Sequence, residues 1–147
     1  MILPCTRAGQ DGWLPLRQAL WPDCSEAEHL AEMAAFLREP DKYAQFVAYG
    51  EDGQAAGFVE AALRTDYVNG TETSPVAFLE GLYVVPRQRR RGWGRALVGA
   101  VTDWARARGC RELASDALLD NVASHLMHRA LGFEETERVV FFRKELP

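Results

Sequence analysis

Val76-Ala77-Phe78-Leu79-Glu80-Gly81-Leu82-Tyr83-Val84-Val85-Pro86-Arg87-Gln88-Arg89-Arg90-Arg91-Gly92-Trp93-Gly94 is the stretch on which the fold turns. Its first ten residues are nearly all apolar, the composition of a central strand covered on both faces. Only Glu80 and Gly81 interrupt it. A glycine inside a strand marks a bulge or a close backbone approach, and a carboxylate in such a strand is costly unless paired. An arginine- and glycine-rich turn follows. Apolar residues then recur at helical spacing (Trp93, Ala96, Leu97, Ala100, Val101, Trp104) as far as Arg108, and Gly109 closes the helix. The free N–H groups and positive end of such a helix make an anion site. Gly92 and Gly94 let phosphate oxygens reach the backbone, and the flanking arginines add charge. A pyrophosphate suits this turn better than a single carboxylate. Its spacing fits neither a Walker loop, with Lys then Ser or Thr after the last glycine, nor a dinucleotide-binding GxGxxG.

Upstream, Leu3 to Arg7 reads as a short strand, and Asp11 to Trp21 and Ser25 to Arg38 read as helices, the second opened by a Ser25/Glu28 capping pair. Tyr43 to Tyr49 and Gln54 to Leu63 flank Gly50-Glu51-Asp52-Gly53, turn chemistry that pairs them antiparallel. Arg64 to Pro75 is a polar loop longer than a hairpin needs, as binding loops often are. Within it, Asn69-Gly70-Thr71 is a turn rather than a glycosylation site. Downstream, Leu113-Ala114 is a short strand ending at Asp116, and Asp120 caps a helix from Asn121 to Leu131 that Gly132 closes. Phe133 to Glu135 and Arg138 to Lys144 finish as strands. The order β-α-α-β-β-β-α-β-α-β-β is mixed α/β, and with no repeat or linker, residues 1–147 read as one domain.

Composition narrows the function. Seventeen basic against twenty-one acidic residues give a net charge of −4, which argues against nucleic acid as the main partner. Yet Arg87, Arg89, Arg90, Arg91 and Arg95 crowd into the turn while acids dominate elsewhere, a pattern suited to one anionic ligand and one cationic substrate. No stretch approaches the ~20 apolar residues of a membrane span, and the apolar start is too short for a signal peptide, so a cytoplasmic chain is expected. Cys5, Cys24 and Cys110 are odd in number and widely spaced, which indicates neither a disulfide framework nor a zinc site; three buried thiols are expected, and no metal.

Val84-x-Pro86-x-x-Arg89-x-x-Gly92-x-Gly94 resembles motif A of the GCN5-related N-acetyltransferase superfamily. Asn121-x-x-Ser124-x-x-x-His128-x-x-x-Gly132-Phe133 is similar to the same superfamily's following helix. The resemblance implies that superfamily's α/β fold: a single mixed, mainly antiparallel sheet with helices on both faces and a central strand splayed at a bulge, here Gly81. It implies acetyl-CoA as co-substrate, with the backbones of Leu82, Tyr83 and Val84 and the side chain of Asn121 holding pantetheine. Arg89, Arg90, Arg91, Gly92, Trp93 and Gly94 would hold the pyrophosphate. It also implies a homodimer. His128 stands where the superfamily often places a tyrosine that protonates the departing CoA thiolate. An imidazole can do that chemistry near neutrality; the competing reading is a partly buried histidine packed beside Phe133, with His125 a surface residue.

A neutral amine must attack the thioester, so the site must bind a cation and accept its proton. Glu80, Asp116 and Glu137 lie where the fold gathers strand ends. Asp116 is the favoured base, directly or through water, with Glu80 its competitor. Leu20-Trp21-Pro22, Asp66-Tyr67-Val68-Asn69-Gly70, Ser74-Pro75-Val76, Phe78-Leu79-Glu80-Gly81, Gly109-Cys110-Arg111-Glu112, Ala114-Ser115-Asp116 and Leu131-Gly132-Phe133-Glu134-Glu135-Thr136-Glu137-Arg138-Val139 resemble one branch, the type I aminoglycoside 6'-N-acetyltransferases. That resemblance implies that Trp21 and Tyr67 stack on sugar rings while Glu80, Asp116 and Glu137 contact ammonium and hydroxyl groups, the outcome being antibiotic resistance. The readings that compete are an acetyltransferase for polyamines, peptide amines or cell-wall amino sugars, a non-catalytic acyl-CoA-binding module, and a nucleic-acid-binding domain built on the arginine run.

Overall fold

The computed structural model of the chain describes residues 1–147, in the order β1 (Ile2–Pro4), α1 (Trp13–Leu20), α2 (Glu26–Arg38), β2 (Tyr43–Tyr49), β3 (Ala55–Arg64), β4 (Val76–Val84), α3 (Trp93–Ala107), β5 (Leu113–Ala114) and α4 (Val122–Ala130). The turn at Gly50–Gly53 sets the sheet. Gly53 takes a φ of 78°, the Gly50 amide donates to the Gln54 carbonyl, and β2 and β3 run back antiparallel. The five strands lie in sequence order, antiparallel throughout except for β4 and β5.

Helices cover both faces. Trp13, Leu16 and Met33 of α1 and α2 pack with Val47, Tyr49 and Phe58 on one side, and Leu97 and Val101 of α3 pack with Val59, Ala61 and Leu79 on the other. Of the apolar stripe read from Trp93 onward, Leu97 and Val101 are buried and Trp93, Ala100 and Trp104 half-buried, whereas Ala96 is exposed and Val98 and Ala105 complete the face that α3 buries. Ser25 caps α2 by accepting the Glu28 amide at 3.1 Å, and Gly109 ends α3 at a φ of 81°, both by the chemistry their sequences announce. No helix is long and apolar enough to cross a membrane.

Two features of β4 position the site. Glu60 of β3 pairs with Gly81 and Ala61 with Leu79, so Glu80 is the extra residue of a bulge and Gly81 its paired neighbour. Beyond that point β4 has no partner on its other edge, because the parallel pairing with β5 consists of Ala77 with Leu113 and Phe78 with Ala114. The central strand is splayed.

Three expectations need correction. Asn121, not Asp120, caps α4, because its side chain accepts the Ser124 amide at 3.2 Å. Cys24 is only half-buried, although Cys5 and Cys110 are buried as expected. The last two strands do not form: residues 134–147 are exposed and make no backbone hydrogen bond within the chain. The run Val139-Val140-Phe141-Phe142 has strand composition, but a strand needs a neighbour, and this chain offers it none.

Candidate active site

The splayed edge and the turn after it form one surface. Leu82, Tyr83 and Val84 carry the unpaired edge of β4, and Tyr83 and Val84 pack their side chains on the two opposite cores. Their backbone, not their side chains, is what the cleft offers. In the turn, Arg90 takes a φ of 62° and Gly92 a φ of 85°, a left-handed alternation that curls successive N–H groups inward. None of the amides from Arg90 to Arg95 donates to a group in the chain, and the first helical bond of α3 begins at the Ala96 amide. A Cβ built at Gly92 or Gly94 would meet nothing within 4 Å, so the space beside these amides is open. Unpartnered donors beside open space fit a pyrophosphate.

The arginines divide their labour. The Arg89 Nε donates to the Val84 carbonyl at 2.8 Å and its guanidinium lies 5.5 Å from the Tyr83 ring centre, fastening the turn to the strand. Arg91 bonds Gln88, and Arg95 bonds the Ala130 carbonyl, tying α3 to the end of α4. The Trp93 indole is half-buried, packed on the α3 core and turned toward Gln88; its backbone amide is one of the turn's unpartnered donors. Asn121 spends its Oδ1 on the α4 cap and keeps its Nδ2 donor.

On the acceptor side, Glu80 projects from the bulge. Its carboxyl is held above the usual range by desolvation, against the pull of Arg64, and the charges of Asp116 and Glu60 push it the same way. Glu80, Asp116 and Arg64 therefore share one electrostatic environment. Arg64, the last residue of β3, is ion-paired to Asp66, and neither was legible as a site residue in the sequence. Trp21 reaches the same bulge: a Cβ added at Gly81 would lie 2.6 Å from its Cη2. Tyr67 is 72% exposed on the 65–75 loop, its ring free to meet a ligand. Glu112 anchors that loop by accepting the Glu72 and Thr73 amides at 2.9 and 2.7 Å, together with the Thr73 hydroxyl, which holds its carboxyl below the usual range. Thr136 touches the loop at Gly70, bringing the exposed Glu137 to its border. The structure thus gathers Trp21, Glu80 and Asp116 around the bulge, with Tyr67 and Glu137 on the loop side.

His128 is engaged by the fold. Its Nδ1 donates to the Ser124 carbonyl at 2.7 Å, its Nε2 accepts from the Ser115 hydroxyl at 2.7 Å, and its ring meets Phe133 edge-on at 5.2 Å. The packing expected beside Phe133 is present. Ser115, which the sequence did not single out, sits next to Asp116 and connects β5's end to α4.

The acetyltransferase (GNAT) family model matches residues 12–133. The aminoglycoside N(6')-acetyltransferase type 1 of Serratia marcescens is 53% identical over 146 residues, covering 99% of each chain, and that of Acinetobacter haemolyticus is 54% identical, covering 99% of this chain and 98% of its own. The apo crystal structure of the aminoglycoside 6'-N-acetyltransferase AAC(6')-Ig from Acinetobacter haemolyticus superposes with a TM-score of 0.93 at 50% identity, covering 100% of this chain and 99% of its own. AAC(6')-Iy, in complex with the bisubstrate analogue CoA-S-monomethyl-acetylneamine, gives 0.92 at 44% identity, with 99% and 98% covered.

Proposed function

The chain belongs to the acetyltransferase (GNAT) family, and from that premise we propose that it transfers the acetyl group of acetyl-CoA to the 6'-amine of an aminoglycoside by direct attack, conferring antibiotic resistance. One observation carries this reading: β4 opens at its bulge, where Glu80 lies beside Trp21 and within the field of Asp116, and its unpaired edge leads on into a turn of free amides. Relatives about half identical over their full length are named for that reaction, and one is described with CoA and an acetylated aminoglycoside fragment joined in one ligand.

In this reading Leu82, Tyr83 and Val84 hold the pantetheine arm as they would an added strand. Asn121 donates to it, and the Arg89 to Gly94 turn holds the pyrophosphate. Trp21 and Tyr67 stack on sugar rings, and Glu80, Asp116 and Glu137 bind the cationic and hydroxyl groups. Asp116 takes the amine's proton, directly or through water, in competition with Glu80. His128 is the candidate acid for the departing thiolate, its ring held by the Ser124 carbonyl and the Ser115 hydroxyl. His128→Phe with unchanged kcat would remove this role.

Residues 1–147 act as one N-acetyltransferase domain. The partners are small cations, since a net charge of −4 opposes nucleic acid. Acetyl-CoA as donor and the free thiols Cys5, Cys24 and Cys110 suit the cytoplasm, where no membrane contact is required. The exposed apolar run from 139 to 142, on a backbone without hydrogen bonds in its own chain, supports a homodimer. CoA release with kanamycin and tobramycin tests the activity. Release only with polyamines or peptides would move the substrate elsewhere, and CoA binding without turnover of any amine would reduce the chain to a binding module.

A further inference from the structure

Behind Trp21 lies a buried polar cluster that the reaction itself does not use. Arg17 of α1 is 1% exposed, His29 of α2 is 0% exposed and Glu60 of β3 is 3% exposed. The Arg17 guanidinium is ion-paired to Glu60 and to Glu32, and the Trp13 indole donates to Glu60 at 2.9 Å. No buried side-chain polar atom is left without a partner. Such a network in an apolar core is a weak source of stability, because desolvating the charges offsets their attraction. Its geometry instead converges on one residue.

The Arg17 Nε donates to His29 Nδ1 at 3.2 Å, so Nδ1 is an acceptor and the ring proton sits on Nε2, which donates to the Trp21 carbonyl at 3.2 Å. The same guanidinium lies over the Trp21 ring, 4.9 Å from its centre. Trp21 follows the last residue of α1, where φ is −123° and ψ is 70°; its amide still donates to the Arg17 carbonyl at 2.8 Å, but its backbone turns out of the helix there. Its ring is wedged against the bulge at Gly81 and meets Phe58 edge-on at 5.9 Å. The cluster therefore grips both the backbone and the ring of the aromatic residue beside Glu80.

We infer that Arg17, His29 and Glu60 form a positioning device for Trp21, fixing the wall against which the acceptor sugar stacks and so setting acceptor affinity without touching either substrate. The inference rests on the reading of Trp21 as an acceptor contact. His29 is its most specific member, since its two nitrogens link the ion pair to the Trp21 carbonyl.

Steady-state kinetics with kanamycin and acetyl-CoA on four proteins test it: His29→Leu, His29→Gln, Trp21→Ala and the His29→Leu/Trp21→Ala double variant. His29→Leu should raise the kanamycin KM about five- to tenfold, the scale of one lost hydrogen bond, and leave the acetyl-CoA KM unchanged. Gln places an amide near the imidazole Nε2 position, so His29→Gln should restore most of the loss. In the Trp21→Ala background His29→Leu should add little further, because the two act through one residue. If His29→Leu fails to fold, His29→Asn replaces it; its amide stays near Arg17 but stops short of the Trp21 carbonyl. An unchanged kanamycin KM, equal rises in both KM values, or the same effect with and without Trp21 overturns the device even where Trp21→Ala itself raises the kanamycin KM. A kanamycin KM unmoved by Trp21→Ala instead overturns the acceptor reading of Trp21, and the inference falls with it.

Discussion

Glu80 occupies the extra position of a bulge, where the sheet has opened and desolvation holds a carboxyl protonated to higher pH than usual. Two outcomes follow, of opposite sign. For catalysis, a base must be ionised, so if Glu80 takes the amine's proton the acid limb of kcat/KM lies above the ordinary glutamate value of ~4.3, and Glu80→Gln abolishes that limb. If the limb survives in Glu80→Gln and vanishes in Asp116→Asn, Asp116 is the base; in that case Asp116→Asn lowers kcat more than it raises the acceptor KM. For stability, a raised carboxyl binds its proton more tightly folded than unfolded, so its contribution is greatest at acid pH and is lost as pH rises through the raised value. Glu80→Gln should therefore gain Tm relative to wild type at pH 7 and lose that advantage near pH 4, as thermal melts at both pH values will show. Gly81 beside it is fixed by contact: a Cβ would lie 2.6 and 2.7 Å from Trp21 ring atoms. Overpacking of this kind costs ~1–3 kcal/mol, so Gly81→Ala should lower Tm and raise the kanamycin KM by displacing Trp21; a native kanamycin KM would place the acceptor away from that ring.

At the scale of elements, the turn into α3 is the proposed pyrophosphate site because its amides have no partner within the chain. Gly92→Val forces a β-branched residue to a φ of 85° and places methyl groups beside those amides. The acetyl-CoA KM should rise at least about tenfold, equivalent to ~1.4 kcal/mol, with the kanamycin KM little changed; an unaltered acetyl-CoA KM would move the pyrophosphate elsewhere. This element was legible in the sequence because its code is local: strand composition, glycine spacing and the stripe from Trp93 to Trp104 all fall within one window. For the same reason the strands at Tyr43–Tyr49 and Leu113–Ala114 fall where the sequence puts them. The Arg17, His29 and Glu60 cluster was not legible, since its members sit in three elements and an arginine in an amphipathic helix reads as solvent-facing until the packing is known. Arg64 and Ser115 stayed hidden likewise, their neighbours being set by strand splay and helix docking rather than by spacing.

The whole molecule explains the one stretch where strand composition misled. Val139 to Phe142 combines β-branched and aromatic residues, yet within a single chain it pairs with nothing, leaving Phe141 86% and Phe142 92% exposed. Sequence pattern reports that a segment is suited to pairing, not which chain supplies the partner. Isolated apolar surface residues are ordinary, but several of them on a backbone with no internal hydrogen bonds suit an interface, and the proposed homodimer would bring a second copy of the chain to it. Burying a phenylalanine yields ~1.5–3 kcal/mol, so replacing Phe141 and Phe142 together by serine should weaken self-association at least about a hundredfold. Sedimentation velocity at micromolar concentration should then show a dimer for wild type and a monomer for the double variant, with secondary structure retained by circular dichroism because neither residue packs on the sheet of its own chain. A wild type that sediments as a monomer, or a double variant that stays dimeric, would remove the segment from the interface. Because Thr136 touches the 65–75 loop at Gly70, freeing the segment should also raise the kanamycin KM of the monomer and leave the acetyl-CoA KM where it was, since the donor surface of β4 and α3 lies on other elements.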